Sequence, residues 1–87
     1  MTSDKKEQLP NAKAKLVAEN IRKIREYRNY TQEYLAAKLH ISQNAYSKIE
    51  LGYTKITVDR LFDIADILEA DPLHIILPGN KNADVII

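Results

Sequence analysis

The sequence predicts a small all-α domain, and three observations predict it. Apolar residues recur at three- and four-residue steps in one stretch after another, as on the buried face of a helix. Thr31, Ser42 and Thr57 each stand just before such a stretch, where a side-chain oxygen can cap the first free amides. No run alternates apolar and polar residues for long enough to read as a strand. At 87 residues the chain is one small domain's worth. A chain of this size buries only about 60–65% of its unfolded surface, so its core must be efficient. The content of 45% hydrophobic and 29% charged residues fits a globular protein rather than a disordered one.

Residues 1–12 are polar, contain Pro10 and lack periodicity, which predicts a flexible N-terminal arm before a domain over 13–78. The first helix is expected over 13–28. Leu16 or Val17, Ile21, Ile24 and Tyr27 face inward, and Glu19, Arg22, Lys23 and Glu26 face outward. Asn29, which tolerates the left-handed conformation, stops it. The second helix, about 32–39, opens after the Thr31 cap with Glu33 in its first turn, buries Leu35, Ala36 and Leu39, and ends at His40. The third opens after Ser42, runs over 43–50 and closes at Gly52, with Ala45, Tyr46 and Ile49 inward. The fourth runs from the Thr57 cap to about Glu69. Its core face is read as Val58, Leu61, Phe62, Ile64, Ala65 and Leu68, with Ile67 off that face. A last short helix over 73–77 has Pro72 at its first position and is stopped by Pro78-Gly79. The tail, 79–87, ends in the apolar Val85-Ile86-Ile87 and is a possible dimer contact.

Several chemistries are excluded. With no cysteine there is neither a disulfide framework nor a thiolate metal site. His40 and His74 are far apart and lack companions, so no metal site is expected. Gly52 and Gly79 are the only glycines, which removes glycine-rich phosphate cradles. No Ser/His/Asp or paired-carboxylate set is apparent, so no enzyme and no cofactor are expected. The polar start after Met1 and the lack of a long apolar run predict neither a secretory signal nor a membrane span, hence a cytoplasmic protein. Charge is uneven. Residues 1–30 carry eight Lys/Arg against four acids, and residues 61–87 carry one against five. A basic front and an acidic back hint at an anionic partner on the N-terminal side.

The joint His40-Ile41-Ser42 between two eight-residue helices is the strongest functional signal. Helices so short are unstable alone and need tertiary support. Two of them joined tightly make a helix-turn-helix, whose second helix can enter a DNA major groove. The outer face of that helix is polar, and Gln and Asn pair two-point with adenine while Lys meets guanine acceptors. A solvated surface would look much the same. The ordered set Thr31-Gln32-Glu33-Tyr34-Leu35-Ala36, Ile41-Ser42-Gln43, Ser47-Lys48-Ile49-Glu50-x-Gly52 and Leu61-x-x-Ile64-Ala65-x-x-Leu68 resembles the Cro/repressor (Xre-type) helix-turn-helix family, over about residues 16–77.

That resemblance implies a five-helix, lambda-repressor-like fold with the helix-turn-helix at the second and third helices. It implies that Gln43, Asn44 and Lys48 read bases. It also implies that Gln32, Ser42, Tyr46, Ser47 and Lys55 touch phosphates, with Gln32 bracing the start of the third helix. For Tyr46, where the family more often has an aliphatic residue, plain core filling is the alternative. Arg25 and Glu50 match the family's ion pair. Asn29 and His40 stand where the family often has glycine, so mild strain is expected at His40. The implied function is a transcriptional regulator, a repressor bound as a homodimer to double-stranded DNA at a near-palindromic operator. The alternatives are an antitoxin with a toxin partner that represses its own promoter, and an interaction module that reads no DNA. Ile67, Ile75 and residues 85–87 are the apolar surplus expected to form the dimer, the alternative being a tail that is disordered or folds over its own core.

Overall fold

A computed structural model describes residues 12–77. Five helices follow one another: α1 (Ala12–Tyr27), α2 (Gln32–Leu39), α3 (Gln43–Glu50), α4 (Val58–Leu68) and α5 (Pro72–Ile76). Among the described residues there is no strand, and no helix is long and apolar enough to cross a membrane. The tail with Val85, Ile86 and Ile87, and all of the expected arm except Ala12, lie outside the described residues.

The caps act as the sequence implies. Thr31 Oγ1 accepts from the Tyr34 amide at 3.0 Å, Ser42 Oγ from Ala45 at 3.0 Å, and Thr57 Oγ1 from Arg60 at 3.1 Å. Asp71 adds a fourth cap, accepting from Leu73 at 3.0 Å beside Pro72. After α1, α2 and α4 the chain turns left-handed, with φ of 62° at Asn29, 59° at His40 and 58° at Glu69. A left-handed residue other than glycine costs about 1–2 kcal/mol, so His40 and Glu69 carry strain that the rest of the fold must hold.

The core joins Ile21 and Ile24 of α1, Leu35, Ala36 and Leu39 of α2, Tyr46 and Ile49 of α3, Ile64, Ala65 and Leu68 of α4, and Ile75 of α5. α1 packs on α3, α4 and α5, while α2 lies against α3 and α4. Three expected core residues stay outside. Tyr27, the last residue of α1, is 52% exposed. Val58 is 67% exposed as the first residue of α4, and Phe62 is 50% exposed. α4 buries a stripe centred on Ile64, Ala65 and Leu68, and Phe62 and Ile67 sit on its opposite flanks. A neighbour covers only the Ile67 side, so Ile67 packs against the core. Ile75 is wholly buried. Ile75 is therefore not free for a dimer contact, and the monomer core already takes up part of Ile67.

α1 also acts as a clip on the ends of other helices. Asn20, buried, donates from Nδ2 to the carbonyls of Ile75 at 2.9 Å and Leu77 at 3.2 Å. Arg28 donates to the carbonyls of Leu68 and Glu69, each at 2.8 Å, and so holds the strained end of α4. These carbonyls are among those a helix leaves unpaired at its C-terminus.

Candidate nucleic-acid interface

α3 divides sharply into an inner and an outer face. Tyr46, Ile49 and Glu50 are buried, while Gln43, Asn44 and Lys48 are exposed and Ser47 is half-buried. Helical spacing stacks Gln43 with Ser47, and Asn44 with Lys48, as two adjoining stripes.

The inner face is fastened at one carboxylate. The Glu50 side chain is 3% exposed and the Arg25 side chain 11%. Arg25 grips Glu50 two-point, from Nε to Oε2 at 2.6 Å and from Nη2 to Oε1 at 3.0 Å. Gln32 Nε2 donates to Oε1 at 3.1 Å, and the Tyr46 hydroxyl donates to Oε2 at 2.5 Å. The remaining Arg25 nitrogen donates to the Tyr30 carbonyl at 2.9 Å, just before α2. A single group thus ties α1, the start of α2 and the end of α3. Burial pushes the Glu50 carboxyl upward, but hydrogen bonds from Arg25, Tyr46 and Gln32 outweigh it and hold the group below the usual carboxylate range. The bond to Glu50 raises Arg25, and burial raises the Tyr46 phenol well above its ordinary value.

Two sequence expectations are corrected here. Tyr46 cannot present its hydroxyl to a phosphate: the side chain is fully buried and its proton goes to Glu50. Gln32 braces the end of α3 through Glu50, rather than its start. The first amides of α2, left free by helix geometry, remain beside it.

Ser42, Asn44 and Lys48 come together with Lys55 along an open cleft of about 360 Å³ between α3, the loop 53–56 and the start of α4. Gln43 and Ser47 are not on that cleft; they belong to the neighbouring stripe. Ser42 uses its oxygen as the α3 cap, which leaves the hydroxyl proton free to donate. The cleft adds Arg60, which the sequence reading passed over. A signal was present. Arg60 stands in the first turn of α4, where the helix dipole disfavours a cation, so it is poorly placed for helix stability and well placed for an anion. The α2 face next to the joint carries Tyr34, stacked at 4.6 Å between ring centres on Tyr30, with the Lys38 ammonium 5.9 Å from its ring. Among the described residues no group of His, Cys, Asp and Glu has a geometry that could hold a metal ion.

Comparison with known proteins bears on this geometry. Residues 21–75 match the family described as helix-turn-helix. The HTH-type transcriptional regulator YqaE of Bacillus subtilis (strain 168), itself named as uncharacterized, is 34% identical over 70 residues, covering 80% of this chain. The chain spans 60% of the length of that relative. A crystal structure of the hypothetical transcription factor NHTF from Neisseria superposes with a TM-score of 0.74 at 21% identity, covering 90% of this chain and 92% of that one. At that identity the likeness is one of fold.

Proposed function

The chain belongs to the helix-turn-helix family, and from that premise we propose that it is a sequence-specific DNA-binding transcriptional regulator, a repressor that holds a near-palindromic operator as a dimer. One observation carries the reading: α3 offers Gln43, Asn44 and Lys48 to the outside while Glu50 locks its inner face. In a groove, Gln43 and Asn44 read adenine edges and Lys48 reads guanine acceptors. Ser42, Ser47, Lys55 and Arg60, with the free amides that open α2 and α3, hold phosphates and set the register.

The dimer follows from the discrimination required. Three base-reading side chains offer roughly 3–9 kcal/mol. Competition from about 10⁶–10⁹ genomic sites asks for roughly 8–12 kcal/mol, so one half-site is marginal and two are comfortable. With Ile75 buried and Ile67 partly buried against the core, the exposed apolar residues on the last two helices include Val58 and Phe62 on α4 with Leu73 and Leu77 at α5. That face supports a two-fold contact.

The test is selection of bound sites from a pool of random duplexes by the full chain. Enrichment of inverted half-sites with centres about 34 Å apart is the expected result. A pool that stays random through repeated rounds would overturn the reading.

A further inference from the structure

Three arginines are half-buried among the described residues, Arg25, Arg28 and Arg60, and the fold treats them differently. Arg25 is engaged by Glu50 and the Tyr30 carbonyl, and Arg28 by the carbonyls of Leu68 and Glu69. Arg60 has only its backbone amide bonded, to Thr57 Oγ1; its guanidinium meets neither an acceptor nor an acid among the described residues. A guanidinium presents five donors in a rigid fork that matches carboxylate or phosphate. Taking it half out of water without a partner is unfavourable.

The surroundings of Arg60 repeat the pattern. It shares the cleft of about 360 Å³ with Lys48 and Lys55, and none of the three forms an ion pair among the described residues. The lining holds no Asp or Glu, and Asp59, next to Arg60 in the chain, stays off it. Like charges gathered beside Ile41, Ala45 and Ile56 repel one another, the more so because an apolar wall lowers the local dielectric. An anion relieves that repulsion. Ser42 and Thr57 each accept from a cap amide, so their hydroxyl protons remain to donate. A fork, two ammonium groups and two hydroxyls exceed what the two oxygens of a carboxylate can take, whereas a phosphate offers more. The volume lies at the small end of the ligand-pocket range of about 300–1,000 Å³, which suits a phosphate or diphosphate. We propose that this cleft is a phosphate-binding site in its own right, held by the Arg60 fork and Lys55, whether the group is a free ion or part of a DNA backbone. The backbone half rests on the DNA reading above, and the free-ion half does not. Since both carriers use one cleft, a small polyphosphate ion and a duplex exclude each other there, and the site becomes a point of control over DNA binding.

The first arm titrates the full chain, without DNA, with sodium pyrophosphate, taking sodium chloride at equal ionic strength as reference and reading nitrogen-15 NMR shifts. Saturating shifts are expected at Ser42, Lys55, Thr57 and the Arg60 guanidinium, while Arg22, exposed on α1, follows ionic strength alone. Arg60→Gln should weaken pyrophosphate roughly tenfold, the loss of a charge-assisted contact, and Lys55→Gln should weaken it too. Arg22→Gln should leave it unchanged. Shifts that never saturate, or an equal loss from Arg22→Gln and Arg60→Gln, would overturn the proposal. The second arm displaces a labelled duplex with pyrophosphate against chloride at equal ionic strength. Pyrophosphate is expected to displace more duplex from wild type, and no more than chloride from Arg60→Gln. A flat pyrophosphate titration beside a loss of duplex affinity in Arg60→Gln would mark a backbone contact only and overturn the free-ion site. The first arm contains no duplex, so its failure and that of the DNA reading are separable.

Discussion

At the residue scale, Glu50 decides most. It accepts four hydrogen bonds from three side chains, and removing it leaves the Arg25 guanidinium buried without its counter-charge. Breaking such a pair costs roughly 3–5 kcal/mol, a large share of a small domain's stability. Glu50→Ala is expected to melt far below wild type while Glu33→Ala, exposed on α2, melts close to it; coincident curves would sink this account of the network. Acid gives an independent check. The Glu50 carboxyl lies below its ordinary range when folded, so the unfolded chain takes up its proton first. The stabilisation is full above the unfolded value, about 4.3, and is lost as pH falls below it. Between pH 6 and pH 3 the denaturation midpoint of wild type should fall further than that of Glu50→Gln. Tyr46 works the other way: its phenol is raised, so its contribution is full below about pH 10 and lost as pH rises above that. The residues of the Arg25–Glu50 pair were legible from a motif. The Tyr46 hydroxyl was not, because a tyrosine in a core register does not reveal where its polar end points.

At the element scale, the helices were readable because their caps and their apolar spacing agree, as at Thr31, Ser42 and Thr57. Their flanks were less so. Phe62 and Ile67 are alike from the sequence, and only the placement of neighbouring helices separates the exposed one from the covered one. Asn20 and Arg28 had a visible signal, since Asn20 lies three residues after Val17 and four before Ile24, and Arg28 four after Ile24. A polar residue in a core register with no local partner asks for a distant one, but periodicity cannot name the carbonyls of α4 and α5. Asn20→Leu, close in volume, is expected to destabilise by about 1–3 kcal/mol because the carbonyls of Ile75 and Leu77 lose their donor. An unchanged midpoint in denaturant would show that water replaces it fully. The left-handed ends give the opposite sign: His40→Gly should stabilise by roughly 1 kcal/mol, since glycine meets that φ without strain.

At the scale of the whole molecule, the described residues present the α3 face with its cleft, exposed apolar residues on α4 and α5, and a groove that shares the loop 53–56 with that cleft. Of the residues that sequence reasoning offered for a dimer contact, Ile75 is buried and Ile67 partly buried in the monomer, because burial of a short last helix depends on what packs over it, and residues 85–87 lie outside the described residues. Phe62→Glu is expected to leave the monomer folded, to weaken sedimentation as a dimer and to weaken operator binding with it. A variant that still sediments as wild type would move the contact elsewhere. The central claim, that α3 reads bases, is tested most directly by measuring affinities for a selected duplex and a scrambled one with Gln43→Ala, Asn44→Ala, Lys48→Ala and Lys55→Ala across a range of salt. The first three should each cost about 1–3 kcal/mol on the selected duplex and little on the scrambled one. Lys55→Ala should weaken both alike and reduce the salt slope by about one. Equal losses on both duplexes for the three α3 variants would contradict base reading by this helix.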